Sequence, residues 1–122
     1  MSESLAAEAA ACVGEVEHSE GVLRAELSFP AHLSVFAGHF PGQPIVPAVY
    51  LLEAATCAAG RALGRSLALS GVRSAKFTRP LAPGDSATLR AELREVAGEL
   101  ELAGELSVGG EAAAALTLSL RG

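Results

Sequence analysis

Tryptophan is missing, tyrosine occurs once and phenylalanine four times, so aromatic side chains make up only 4% of the 122 residues. A core without large rings has to be filled by Leu, Val and Ala, and small side chains favour close packing of one element on another. Cysteine is scarce too. Cys12 and Cys57 are the only two, which excludes a disulfide framework and a CxxC metal site. Two thiols suit a reducing compartment, and the expected location is the cytoplasm. No apolar run reaches the roughly 18 residues that a membrane span needs. The Ala-rich start, Leu5 to Cys12, follows Glu3, contains Glu8 and precedes the first basic residue, Arg24; the positive leader of a secretion signal is therefore lacking. Basic charge is in the minority, and a formal net charge of −5 argues against nucleic acid as a partner.

What is present fits one globular domain spanning residues 1–122, with 1–11 either a short helix or disordered. Half of the chain is hydrophobic and 19% is charged, the balance of a folded protein rather than a disordered one. The charge is uneven. Between Ala54 and Gly84 no acidic residue occurs, yet Arg61, Arg65, Arg73, Lys76 and Arg79 all fall there. Such a stretch is either a solvated face or a docking patch for a small acidic partner.

Strands are expected at Cys12 to His18 and Val22 to Phe29; in the second, Leu23, Ala25, Leu27 and Phe29 alternate with Arg24, Glu26 and Ser28. Ala31 to Val46 is too rich in Gly and Pro to be regular. A helix is predicted from Pro47 to about Leu63, apolar nearly all round and so buried on most sides, with Gly60 and Gly64 at a frayed end. Four further strands follow: Ser66 to Arg79, irregular near Ser70-Gly71, then Ala87 to Val96, Glu99 to Val108 and Glu111 to Leu120, joined by glycine-bearing turns. An α+β architecture buries such a helix: a curved antiparallel sheet wrapped around it. The edges left over predict a dimer.

Most of the chemistry lies between Phe36 and Glu53. From Phe40 to Gly60 the only charged side chain is Glu53. A carboxylate in an otherwise apolar helix is costly to ionise, which would make it a proton donor near neutral pH; alternatively it points to solvent from the one exposed stripe. His39 carries the side chain best suited to take a proton near pH 7, and Gly38 and Gly42 leave room for a substrate or another backbone beside it. Pro47 has no N–H, but Ala48 and Val49 do, and at a helix start these lack intrahelical partners. They can polarise a thioester carbonyl while its α-carbon loses a proton. Base, acid and oxyanion donor are the requirements for β-elimination of water.

The run Gly38-His-Phe-Pro-Gly42-x-Pro-x-x-Pro47 followed by Glu53 strongly resembles the β-hydroxyacyl-acyl carrier protein dehydratases of bacterial fatty acid synthesis. A second block, Ala75-Lys-Phe-Thr-Arg-Pro80-Leu-Ala-Pro-Gly-Asp85, is also similar to that family. The resemblance runs from about residue 12 to 96. It implies the hotdog fold, with the curved antiparallel sheet around a long central helix, and a homodimer or an oligomer of dimers. His39 matches the family's catalytic histidine and Glu53 its acid, the two coming from different subunits of each site. Position 48 matches the backbone amide that binds the thioester carbonyl, with Phe40, Gly42, Val49 and Cys57 beside the substrate. No metal and no cofactor are implied, since the acyl group rides on the phosphopantetheine of a carrier protein or on CoA. The partner is then the acidic acyl carrier protein, docking on Arg73, Lys76 and Arg79.

The chain departs from the family pattern in three places. Ala48 replaces a glycine and adds a methyl where the thioester approaches, and Cys57 stands where a glutamine is usual. The short N-terminus resembles compact dehydratases of polyene and other secondary-metabolite pathways. A glutamate rather than an aspartate at position 53 makes double-bond isomerisation the less expected chemistry. Two rivals are a thioesterase on the same fold, which leaves His39 unexplained, and a non-catalytic acyl-carrier-binding subunit, which leaves the intact His39 and Glu53 unexplained.

Overall fold

The computed structural model describes residues 3–29, 46, 48–82 and 84–122. In chain order they form α1 (Glu3–Ala11), β1 (Val13–Ser19), β2 (Val22–Ser28), α2 (Ala48–Leu63), β3 (Ala68–Phe77), β4 (Ser86–Val96), β5 (Glu99–Val108) and β6 (Glu111–Arg121). The six strands make one antiparallel sheet in the order β1-β2-β4-β5-β6-β3. Its concave face wraps α2, as the hotdog fold requires. The residues ahead of β1 form a helix.

Three hairpins set the register. Each turns on two residues, Glu20-Gly21, Ala97-Gly98 and Gly109-Gly110, all with positive φ. That backbone has the twist of the flanking strands and pins the ladder on either side. Ser19 therefore faces Val22, Val96 faces Glu99, and Val108 faces Glu111. Alternation then sends Leu23, Ala25 and Leu27 of β2, Leu89 and Ala91 of β4, Leu102 and Leu106 of β5, and Leu116, Leu118 and Leu120 of β6 to the inner face, where all are buried.

Against them α2 places Tyr50, Leu51, Ala54, Ala55, Ala58 and Ala59, each buried. Alanine at four of these positions lets the helix settle close to the sheet. Thr56, the buried polar residue of this helix, donates its hydroxyl to the Leu52 carbonyl at 2.9 Å. Gly60 belongs to this packed region rather than to a frayed end. A Cβ there would stand 2.7 Å from the Arg65 carbonyl, whose N–H in turn donates to the Gly60 carbonyl at 3.0 Å. The helix stops at Gly64, at φ 68°.

On the outer face of the sheet, Glu101 of β5 is only 8% exposed. Arg94 grips it at 2.9 Å and Arg73 approaches at 3.8 Å, so the carboxylate is paired although it faces away from the core. Beside this group, Glu99 accepts from Arg121 and Ser70; the Arg121 hydrogen bond, ahead of the Ser70 one, holds the Glu99 carboxyl below its ordinary range.

Gly104 is a point of close approach between neighbouring strands of the sheet. It faces Ala91 on β4 and Leu116 on β6, and a Cβ there would lie 2.6 Å from the Ala91 Cβ and 2.8 Å from the Arg90 carbonyl. Neither neighbour is a flexible side-chain end. Replacing Gly104 by Ala is expected to cost about 1–3 kcal/mol, the usual scale of overpacking, read as a lower urea midpoint with an unchanged slope; an unchanged midpoint would contradict the close approach.

Candidate active site

Glu53 lies in the second turn of α2, half-buried. The buried face of α2 leaves one stripe away from the sheet: Val49, Glu53, Cys57 and Arg61, spaced four residues apart and all at least partly exposed. The helix is buried on most sides, as its apolar sequence implies. The sheet and α1 cover the rest of the helix between them, and the acid sits on the one stripe left partly open.

The stripe opens on a groove of about 600 Å³. Glu53, Thr56, Cys57 and Gly60 form its floor, Ala10 of α1 one wall, and Ser66 and Leu67 another. Cys57 follows Glu53 by one helical turn, as sequence spacing implied, and lines the same groove. Among the described residues no group of His, Cys, Asp and Glu is arranged to hold a metal ion.

The start of α2 is held from three directions. The Val46 N–H donates to the Leu81 carbonyl at 2.7 Å. The Asp85 carboxylate accepts from the Ala82 N–H at 2.8 Å, and Phe29 exchanges backbone hydrogen bonds with Gly84 and Asp85. The Phe29 and Tyr50 rings meet at 6.5 Å with a 59° tilt. The block from Pro80 to Asp85 thus supports the chain that enters α2. The helix begins at Ala48, with Ala48 and Val49 exposed in its first turn, and the N–H groups of that turn have no intrahelical acceptor. Val49 is 40% exposed, an apolar side chain left beside the acid. His39, Phe40 and Gly42 lie outside the described residues, as do Gly38, Pro41, Pro44 and Pro47.

The proposed docking residues behave differently from one another. Arg73 is partly engaged by Glu101, and Arg79 donates to the Val108 carbonyl at 3.3 Å. Lys76 is exposed on β3.

Behind α2 lies a polar cluster that sequence reasoning missed. The fully buried Tyr50 donates its hydroxyl to Glu8 at 3.3 Å. Burial first, and the neighbouring Cys12 and Glu8 next, push the Tyr50 hydroxyl well above the ordinary phenol range. Burial likewise pushes the Cys12 thiol up, against a smaller opposing effect of its hydrogen bond with Tyr50. No local spacing links residues 8, 12 and 50, so only the docking of α1 on α2 reveals them.

The fold is that of an α+β hotdog protein, and the one carboxylate of its central helix opens on a groove one turn from the helix start. Comparison with known proteins then places it. Residues 15–113 match the ApeI-like family, described as the ApeI dehydratase, and the chain belongs to that family of dehydratases. The chain is 41% identical over 98 residues to the 3-hydroxyacyl-[acyl-carrier-protein] dehydratase FabZ of Thermus thermophilus, covering 71% of this chain and 69% of that protein. It is 50% identical over 66 residues to the FabZ of Chlamydia trachomatis, covering 47% and 43%. Among solved structures, the dehydratase heterocomplex ApeI:P of Xenorhabdus doucetiae superposes with a TM-score of 0.72 at 25% identity, covering 88% of this chain and 95% of that one. The PaaI protein of E. coli shares the fold, with a TM-score of 0.67 at 19% identity over 97% and 92% of the two chains.

Thiol chemistry distinguishes the two cysteines. Cys57, in the groove, is expected to react with an alkylating reagent at mildly alkaline pH, whereas Cys12, buried and held protonated, reacts only as the protein unfolds. Peptide mapping after partial labelling checks this. Equal labelling of both in the native protein would contradict the burial of α1 on α2.

Proposed function

We propose that the protein dehydrates β-hydroxyacyl thioesters, carried on an acyl carrier protein or CoA, to trans-2-enoyl thioesters in fatty acid or polyketide-like biosynthesis. The observation that carries this reading is the position of Glu53. It lies five residues into α2, about 7.5 Å along the axis from the N–H groups of the first turn, which lack intrahelical acceptors, and opens on the groove. A thioester carbonyl at Ala48 and a β-hydroxyl at Glu53 fit that spacing.

In this mechanism the Ala48 and Val49 end of α2 stabilises the negative charge that builds on the thioester oxygen. His39 takes the α-proton as the α-carbon–hydrogen bond breaks. Its electron pair forms the new double bond, and the hydroxyl leaves with a proton from Glu53. No external oxidant, metal or cofactor is needed, because water is the sole by-product. Phe40 and Gly42 border the reacting carbons, and Val49 and Cys57 border the acyl chain.

A homodimer completes the site. Among the described residues β3 pairs only with β6, and none of its own residues is buried; Val72 and Phe77 are 47% and 41% exposed. A bare edge strand with apolar side chains is a pairing surface. Joining two β3 edges would build the dimer in which, by the family resemblance, His39 of one subunit serves Glu53 of the other. The ApeI relative assembles in a heterocomplex, so a different hotdog chain on this edge is the alternative that sizing and mass analysis would expose. The carrier protein docks on the basic side of the chain, chiefly through Lys76 and Arg79, with Arg73 contributing less because Glu101 already holds it. The two free thiols suit a cytoplasmic setting.

The test supplies a β-hydroxyacyl carrier-protein thioester and its trans-2-enoyl counterpart. Interconversion is expected; release of free carrier thiol would instead make the protein a thioesterase, and no reaction a silent binding subunit. His39→Ala and Glu53→Gln should each lower turnover at least ~100-fold, the scale for losing a general acid or base. Mixing the two inactive variants should restore part of the activity through hybrid dimers, whereas no recovery despite subunit exchange would place both groups on one chain.

A further inference from the structure

We infer that Arg61 is a positioning residue, which fixes α1 as a wall of the Glu53 groove and thereby sets the length of acyl chain that the groove accepts. The inference rests on the dehydration reading above for the identity of the ligand, and on the following contacts for the role of Arg61.

Arg61 projects from the last turn of α2 but does not cap its own helix. Its guanidinium reaches across to the end of α1 and the start of β1. Nη2 donates to the Ala10 carbonyl at 2.9 Å, while Nη1 donates to the Val13 carbonyl at 2.8 Å and the Gly14 carbonyl at 3.3 Å. The final carbonyls of a helix have no intrahelical donors and form its negative end, so a cation with several donors is the side chain that satisfies them. A planar fork can span three carbonyls where a single ammonium cannot. Among the described residues Arg61 makes no salt bridge, which leaves its charge directed at these carbonyls.

The consequence for the site is geometric. α1 rests on α2 rather than on the sheet, held at one point by Tyr50 and Glu8 and at another by Arg61. Ala10, whose carbonyl Arg61 binds, lines the groove together with Glu53 and Arg61. Arg61 follows Glu53 by eight residues, about 12 Å along the helix axis. A short acyl chain with its β-carbon at Glu53 ends before it reaches the Ala10 wall. A long chain has to run past it. Loosening α1 therefore disturbs long substrates and leaves the reacting atoms where they are.

The experiment compares the wild-type protein with Arg61→Lys, which keeps charge and stem but loses the fork, and Arg61→Gln, using β-hydroxybutyryl and β-hydroxydodecanoyl carrier-protein thioesters. The ratio of long-chain to short-chain kcat/KM is expected to fall about tenfold in both variants, the scale of a lost contact in a binding pocket, with the change in KM rather than kcat. Hydrogen exchange of residues 7–14 should accelerate while that of β4 and β5 does not. An unchanged chain-length ratio with α1 loosened would overturn the specificity role, and unchanged exchange would overturn the tether itself. Failure of the wild-type protein to convert either thioester would instead sink the dehydration reading and the specificity role built on it, with the exchange data still deciding the tether.

Discussion

Four alanines on one face of α2, at positions 54, 55, 58 and 59, allow the helix to lie against the concave sheet with its backbone close to the strands. The rest of the molecule depends on that contact. The sheet has to curl to enclose the helix, and on its inner face Gly104 has no room for a side chain between its neighbours. The hairpin turns fix which residues line the concavity, because a slip of one position would turn every leucine outward. The same sheet cannot cover the opposite face of α2, which is shared between α1 and the groove that carries the acid.

Packing and chemistry thus divide one helix between them. The alanine side supplies rigidity, and the Val49, Glu53, Cys57 and Arg61 side supplies a groove. A carboxylate on a buried helix gains a fixed position from its packed neighbours on the far face. It remains open to a substrate because one subunit leaves it half-covered. The departures from the dehydratase pattern fall on this same stripe or at its start: Cys57 is smaller than the usual glutamine and widens the floor, and Ala48 adds a methyl at the helix entrance. The exposed β3 edge and the half-covered acid are the two features that the proposed dimer would cover.

Much of this architecture is legible from residues alone. Helix α2 ends at the expected Leu63, and the strand limits differ from the expected ones by about two residues or fewer. The paired positive-φ turns coincide with the glycine-bearing breaks, and the irregularity expected at Ser70-Gly71 appears as a register shift between Leu69 and Gly71. These features are local: alternation, a proline, a glycine. A second shift between Val72 and Ser74 has no such marker. Long-range features were hidden for the same reason. The grip of Arg94 and Arg73 on Glu101 depends on which strands become neighbours. The Arg61 contacts join residues 47 to 51 positions apart. Gly60 resembles a helix-end glycine in sequence, and only the returning chain at Arg65 shows that it is packed. At the site, the Glu53 and Cys57 stripe followed from helical spacing, and the family resemblance supplied the role of His39.

The central claim is that Glu53 and the start of α2 bind the two ends of one β-hydroxyacyl unit, with His39 arriving from a second subunit. A crystal structure of the Glu53→Gln variant with a β-hydroxyacyl pantetheine thioester measures this directly. The account predicts the thioester oxygen at the Ala48 N–H, the β-hydroxyl at the residue 53 side chain, and a partner-subunit imidazole beside the α-carbon, with polar contacts of about 2.6–3.2 Å. A ligand bound away from α2, or histidine and residue 53 far apart in every pairing of subunits, would contradict it.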